Sequence, residues 1–177
     1  MAPARMDFFA DNCEVLCPEM SNSRAPMSRS EGHEAVEVWF PIEGDSDGHP
    51  ASQQWEQLWC WPAEAGFRVD NVPFFARGVA CGDVISALRT DGGWLCFDKT
   101  LARSGNSTFR IWLSADKSLD AEGVLRQLRN LGCRAEVTLE RLIAIDVSPP
   151  LEEVVWKFVS KGFEIGEWDL QVGYSPN

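Results

Sequence analysis

The stretch Leu119-Asp120-Ala121-Glu122-Gly123-Val124-Leu125-Arg126-Gln127-Leu128-Arg129-Asn130-Leu131 decides the fold of the second half of this chain, because the hydrophobic period changes there from two to helical. Leu119, Val124, Leu125, Leu128 and Leu131 share one helical face, and Gly132 follows as a C′ residue that can close the helix. Upstream, Thr108 to Leu113 alternates as a strand. Downstream, Ala135 to Leu139 and Leu142 to Val147 pair as a hairpin. Leu151 to Phe163 then carries Val154, Val155, Phe158 and Val159 at helical spacing, entered through Pro149-Pro150 and left through Gly162. Trp168 to Val172 supplies a last strand. The order β-α-β-β-α-β across residues 104–177 matches the ferredoxin-like split βαβ arrangement.

Residues 34–103 read differently. Glu34 to Ile42 alternates acidic with apolar side chains, with Val36, Val38 and Phe40 on one face, the period of a half-buried strand. Further strands are expected at Trp55 to Trp61, Gly66 to Val69 and Asp83 to Leu88, the last turning at Thr90-Asp91-Gly92-Gly93 into Trp94 to Leu101. Short strands at close spacing with Gly-rich turns predict a small curved β-sheet or barrel. Residues 1–33 read as a flexible tail whose Ser21 to Ser30 portion is a Ser-rich linker. The fold class expected is α+β, with a β-barrel-like subdomain at 34–103 and a ferredoxin-like subdomain at 104–177.

Asp70 to Asp83 joins the acidic strands to the following hairpin and is dense in apolar residues. Pro73 fixes its own φ and drives Val72 towards extended geometry, while Gly78 and Gly82 open backbone angles closed to other residues. A turn, a short buried strand and a second turn are predicted. Its scaffold role follows from that chemistry, with Asp70 and Asp83 as turn carboxylates that accept local N–H bonds.

The pattern Asp70-Asn71-Val72-Pro73-Phe74-Phe75, Gly78, Gly82-Asp83-Val84, then Ser104-Gly105-Asn106-Ser107-Thr108, resembles a bacterial family catalogued as domain of unknown function 4265, over roughly Val36 to Trp168. In that family the second motif usually reads Ser-Gly-His-Ser-Thr. Asn106 stands here at the histidine position, which removes a histidine-based role. The resemblance implies no activity; it implies that such small proteins can sit beside secreted toxins as immunity partners.

Charge narrows the function classes. The chain carries 16 Lys and Arg against 27 Asp and Glu, net −11, so it lacks the clustered cations that phosphate neutralisation requires, and neither nucleic acid nor a membrane is an expected partner. Between Ser30 and Phe67 there is no Lys or Arg, yet this window holds Glu31, Glu34, Glu37, Glu43, Asp45, Asp47, Glu56 and Glu64 with Trp39, Trp55, Trp59 and Trp61. No apolar run is long enough for a signal peptide or membrane span, so a cytoplasmic location is expected. The six cysteines sit mostly alone in apolar strands, where free Cys behaves as a small hydrophobe, and disulfides are not expected.

Motifs that carry chemistry are weak. Cys13-x3-Cys17 with His33 and His49 has poor spacing for zinc, so no metal or other cofactor is expected. Cys81 and Cys96 lack a basic partner and read as packed cysteines. Ser104 to Thr108 lacks the Lys and following helix of a phosphate loop, and reads as a polar turn with Asn106 at positive φ; Arg103 and Arg110 flank it as a weak anion site. The expected function is therefore non-enzymatic. An acidic immunity protein would occlude the basic active-site cleft of a cognate toxin, with Glu43, Asp45, Asp47, Trp55 and Glu56 as the docking set, Trp55 the aromatic anchor. The alternatives are a small-ligand-binding sensor and, less favoured, a hydrolase.

Overall fold

The structure, a computed structural model, describes residues 34–42, 54–115 and 119–176. Five strands form a closed barrel: β1 (Val36–Ile42), β2 (Gln54–Ala63), β3 (Gly66–Val69), β4 (Val84–Arg89) and β5 (Leu95–Ala102). Successive strands pair antiparallel, and a short parallel pairing of Val38 with Leu95 and Trp39 with Cys96 closes the ring. Register shifts in β4 at Val84/Ile85 and Ser86/Ala87 supply the bends that closure needs. Val38, Phe40, Leu58, Cys60, Val69 and Ile85 fill the interior, and Phe40 stacks on Phe97 at 4.9 Å.

The second sheet takes β6 (Ser107–Leu113), β7 (Arg134–Thr138), β8 (Leu142–Val147) and β9 (Trp168–Tyr174) in the order β7-β8-β6-β9, all neighbours antiparallel. Helix α1 (Ala121–Asn130) links β6 to β7, and α2 (Glu152–Glu164), entered through a 3-10 turn at Pro149–Leu151, links β8 to β9. Asp120 caps α1 by accepting from the N–H groups of Glu122 and Gly123, and Gly132 closes it at φ 94°. Alternation in β6 sends Phe109, Ile111 and Leu113 towards the helices, where they join Ile143, Ile145, Val147, Val124, Leu125, Leu128, Val155 and Val159.

Three expectations need correction. Asp70 to Asp83 contains no strand: it is an irregular, buried segment. Gly162 does not end α2, which runs on to Glu164, with Gly166 in the left-handed region at φ 70°. Gly162 is instead the seat of the Trp168 ring, since a Cβ there would stand 1.9 Å from Trp168 Cζ2, while the indole N–H reaches the Val159 carbonyl at 2.9 Å. In the Ser104 to Thr108 turn the left-handed residue is Gly105, φ 86°, rather than Asn106.

Gly162→Ala must therefore displace a buried indole, and we expect a loss of about 2 kcal/mol or more in urea unfolding; an unchanged midpoint would contradict this packing.

Candidate functional site

The irregular segment lies across the face of the second sheet that the helices leave open. Val72 and Phe74 pack on Leu142, Ala144 and the half-buried Trp112, while Ala76 and Val79 turn the other way into the barrel core. A segment with no ladder of its own must find other partners for its buried backbone groups. Glu56, 6 % exposed, projects from β2 and accepts from the N–H of Phe74 (2.7 Å), Phe75 (2.9 Å) and Ala76 (2.8 Å). From the opposite side Arg110 of β6, 2 % exposed, donates Nε to the Pro73 carbonyl at 3.1 Å, a second nitrogen to the Ala76 carbonyl and a third to Gln171 Oε1 at 3.0 Å. Burial pulls the Arg110 pKa down to about 10 against the favourable field of Glu56, with Arg77 adding to the depression.

A second polar cluster fixes the end of the segment. Asp83 accepts from Ala80 N–H (3.1 Å), Ser104 N–H (2.8 Å), Ser104 Oγ (3.1 Å) and the Arg103 guanidinium (2.9 Å). Arg103 also reaches the Gly78 carbonyl and lies over the Tyr174 ring, so both arginines of the expected anion site are engaged internally. Gly78 and Gly82 hold φ of 68° and 84° in this segment, the left-handed geometry that glycine permits. Asp70 pairs with Arg134 at 3.5 Å, and Arg134 approaches Cys81 Sγ at 3.5 Å. The Cys81 thiol donates to the Asp70 carbonyl at 3.2 Å, and burial, aided by Asp146, pushes its pKa up to about 12, the opposite of what a nucleophile requires. Asn106 donates to Asp146 at 2.9 Å and to the Cys81 carbonyl at 3.4 Å.

The expected docking set is divided by this geometry. Glu43, Asp45 and Asp47 lie outside the described residues, as do Cys13, Cys17, His33 and His49. Trp55 and Glu56 are neighbours on one strand, so they point to opposite faces. Trp55 is half-buried on the outer wall of the barrel, paired across from Pro41, whereas Glu56 turns inward with Leu58 and Cys60. Glu56 is thus removed from the docking set by its burial. The same alternation places Trp39, Trp59 and Trp61 on the outer wall, where Trp39 meets Trp94 edge-on at 5.7 Å. The indole N–H groups of Trp39 and Trp61 have no acceptor among the described residues. No group of three or more His, Cys, Asp and Glu side chains suited to a metal occurs among the described residues.

A family model described as domain of unknown function (DUF4265) matches residues 56–155, more than half of the chain. The chain belongs to this family. The matched span of the DUF4265 member opens on Glu56 and includes Arg110, Asp83 and Asp146, so the charged residues of both polar clusters fall inside it. A solved structure titled as a novel crystal structure of a hypothetical protein from Neisseria gonorrhoeae is similar at TM-score 0.64 and 19 % identity, over 81 % of this chain and 99 % of that one. That likeness concerns the fold alone. No curated protein matches significantly. Among the described residues no helix is long and apolar enough to cross a membrane.

The sequence marks Arg110 only as a flank of an anion site and hides its burial, because a lone cation alternating with Phe109 and Ile111 looks like the solvated side of a strand; nothing local reveals that Asp70 to Asp83 covers it.

Glu56→Gln puts an amide donor against backbone donors and should cost about 3 kcal/mol in urea unfolding. Paired with Arg110→Met, the double variant should lose less than the two single losses combined, by about 0.5 kcal/mol or more; strict additivity would deny the coupling. Burial raises the Asp146 pKa to about 6, with Asp83 adding to the rise and Asn106 and Arg134 opposing it. A carboxyl with a raised folded pKa binds more protons folded than unfolded, so its cost is complete above pH 6 and relieved as pH falls towards the ordinary carboxylate range. Asp146→Asn should accordingly raise the melting temperature at pH 8 and leave it nearly unchanged at pH 4, read as a difference from the parent protein.

Proposed function

We propose that this DUF4265 member is a non-enzymatic binding protein of the cytoplasm, an immunity protein that occludes the basic cleft of a cognate bacterial toxin. The observation that supports this reading is the outer barrel wall, where Trp39, Trp55, Trp59 and Trp61 stand in a region of the chain without Lys or Arg. Tryptophan adds large contact area at small entropic cost. Glu37 lies on the same wall, opposite Trp59, and Glu43, Asp45 and Asp47 follow β1 directly in sequence. A cleft built to hold an anionic substrate is cationic, and an acidic face that covers it gains encounter rate from the opposite charge.

The polar clusters favour scaffold over catalysis. Glu56, Asp83 and Arg110 are engaged by backbone and side-chain partners within the fold, and Cys81 is a thiol held protonated. We read the β6-α1-β7-β8-α2-β9 sheet as ferredoxin-like, with the irregular segment filling the open face on which such sheets otherwise have room for a ligand.

The test is a pull-down and titration against a toxin domain encoded beside the gene. Reversing Glu37, Glu43, Asp45 and Asp47 to Lys should abolish capture at physiological salt, and Trp55→Ala should weaken it about tenfold while the melting temperature holds. Affinity that stays constant from low to high salt would refute an electrostatic docking face.

A further inference from the structure

The strand order β7-β8-β6-β9 leaves β9 at a sheet edge, with no strand on its outer side among the described residues. Every second residue of such a strand turns its N–H and C=O outward, and natural edges are usually blunted by lysine, proline or a covering element. Trp168 to Val172 contains neither Lys nor Pro. Only towards its end is the strand engaged, where the Gly173 carbonyl accepts from Gly78 N–H at 3.3 Å.

Helix α2 runs antiparallel to β9, as the Trp168–Val159 bond near one end and the Ser175–Glu152 bond at the other require. Trp156 and Phe163 are seven residues apart, on one row of that helix, and are 45 % and 53 % exposed; Val172 on β9 is 47 % exposed. Trp156 and Val172 line a cleft of about 300 Å³ with Phe109, Glu152 and Ser175. The opposite edge differs. Helix α1, beside β7, exposes Arg126, Gln127, Arg129 and Asn130, so an apolar row beside a free edge occurs at β9 and not at β7.

We propose that the groove between α2 and the free edge of β9 binds an extended, basic segment of a partner protein as an added strand. Main-chain bonds to β9 would provide affinity, and side chains alternating between faces would set specificity. Those facing α2 would be apolar, against Trp156, Phe163 and Val172. Cationic ones would point to the opposite face of the sheet, where Asp169 lies. Charge chooses this occupant over a second copy: two chains of net −11 would bring the same acidic fringe together. This face is separate from the tryptophan wall, and either can fail alone.

The full chain, labelled with ¹⁵N, is titrated with a short synthetic peptide of alternating Lys and Val. Amide shifts should concentrate in Trp168 to Val172 and the Trp156 indole N–H. The same peptide with Glu for Lys, or with alternate amides methylated, should bind about tenfold more weakly or not at all. Asp169→Lys and Val172→Lys should each weaken binding about tenfold, with melting temperatures checked, and Asp169→Lys decides if Val172→Lys unfolds. No binding, shifts away from β9, equal binding of the methylated or acidic peptide, or a dimer in sedimentation that Val172→Lys dissociates would each overturn the proposal.

Discussion

A buried anion and a buried cation hold one irregular stretch of backbone between them, and the rest of the molecule depends on that arrangement. Glu56 comes from the barrel and Arg110 from the second sheet, and residues 73–76 lie between them with their N–H groups turned to one and carbonyls to the other. Either charge buried alone would cost several kcal/mol; here each is stabilised by oriented peptide groups and by the field of the other. Because the clamp takes one residue from each sheet, it also sets how the barrel meets the sheet. Phe74 and Val72 pack on the open face of the second sheet and Ala76 and Val79 in the barrel core, so the same few residues join the two units.

That economy explains why the polar residues that look catalytic in isolation are structural. Cys81, Asp70, Asp146 and Arg134 lie close together, but the thiol is driven towards its protonated form and the carboxylates are engaged with Arg134 and Asn106. The two surfaces we propose for binding, the tryptophan-bearing barrel wall and the groove beside β9, lie on different units. Both combine aromatic area with acidic residues, which supports the proposal of a basic partner.

Much of the fold was legible from local pattern. The five barrel strands, both helices, the β7–β8 hairpin and β9 follow from alternation, helical spacing and the closing Gly132. The β7–β8 turn formed even though Leu139 and Glu140 take positive φ, 48° and 61°, without a glycine, because the pairing on either side fixes it. The site was less legible. Trp55 and Glu56 were read as partners on one face, although a period of two separates them; charge composition had outweighed strand geometry.

The sequence by itself determined the regular strands and helices, the acidic character, the family pattern and the absence of Lys and Arg between Ser30 and Phe67, where four tryptophans fall, since these depend on composition and on spacing within single elements. Only the tertiary structure decided that Asp70 to Asp83 is a clamped coil instead of a strand, that Gly162 is a seat for Trp168 instead of a helix end, that Glu56 and Arg110 are interior, and that β9 has a free edge flanked by Trp156 and Phe163. Each of these depends on which residues distant in the chain come to cover which face, and burial of that kind leaves no mark on the local pattern.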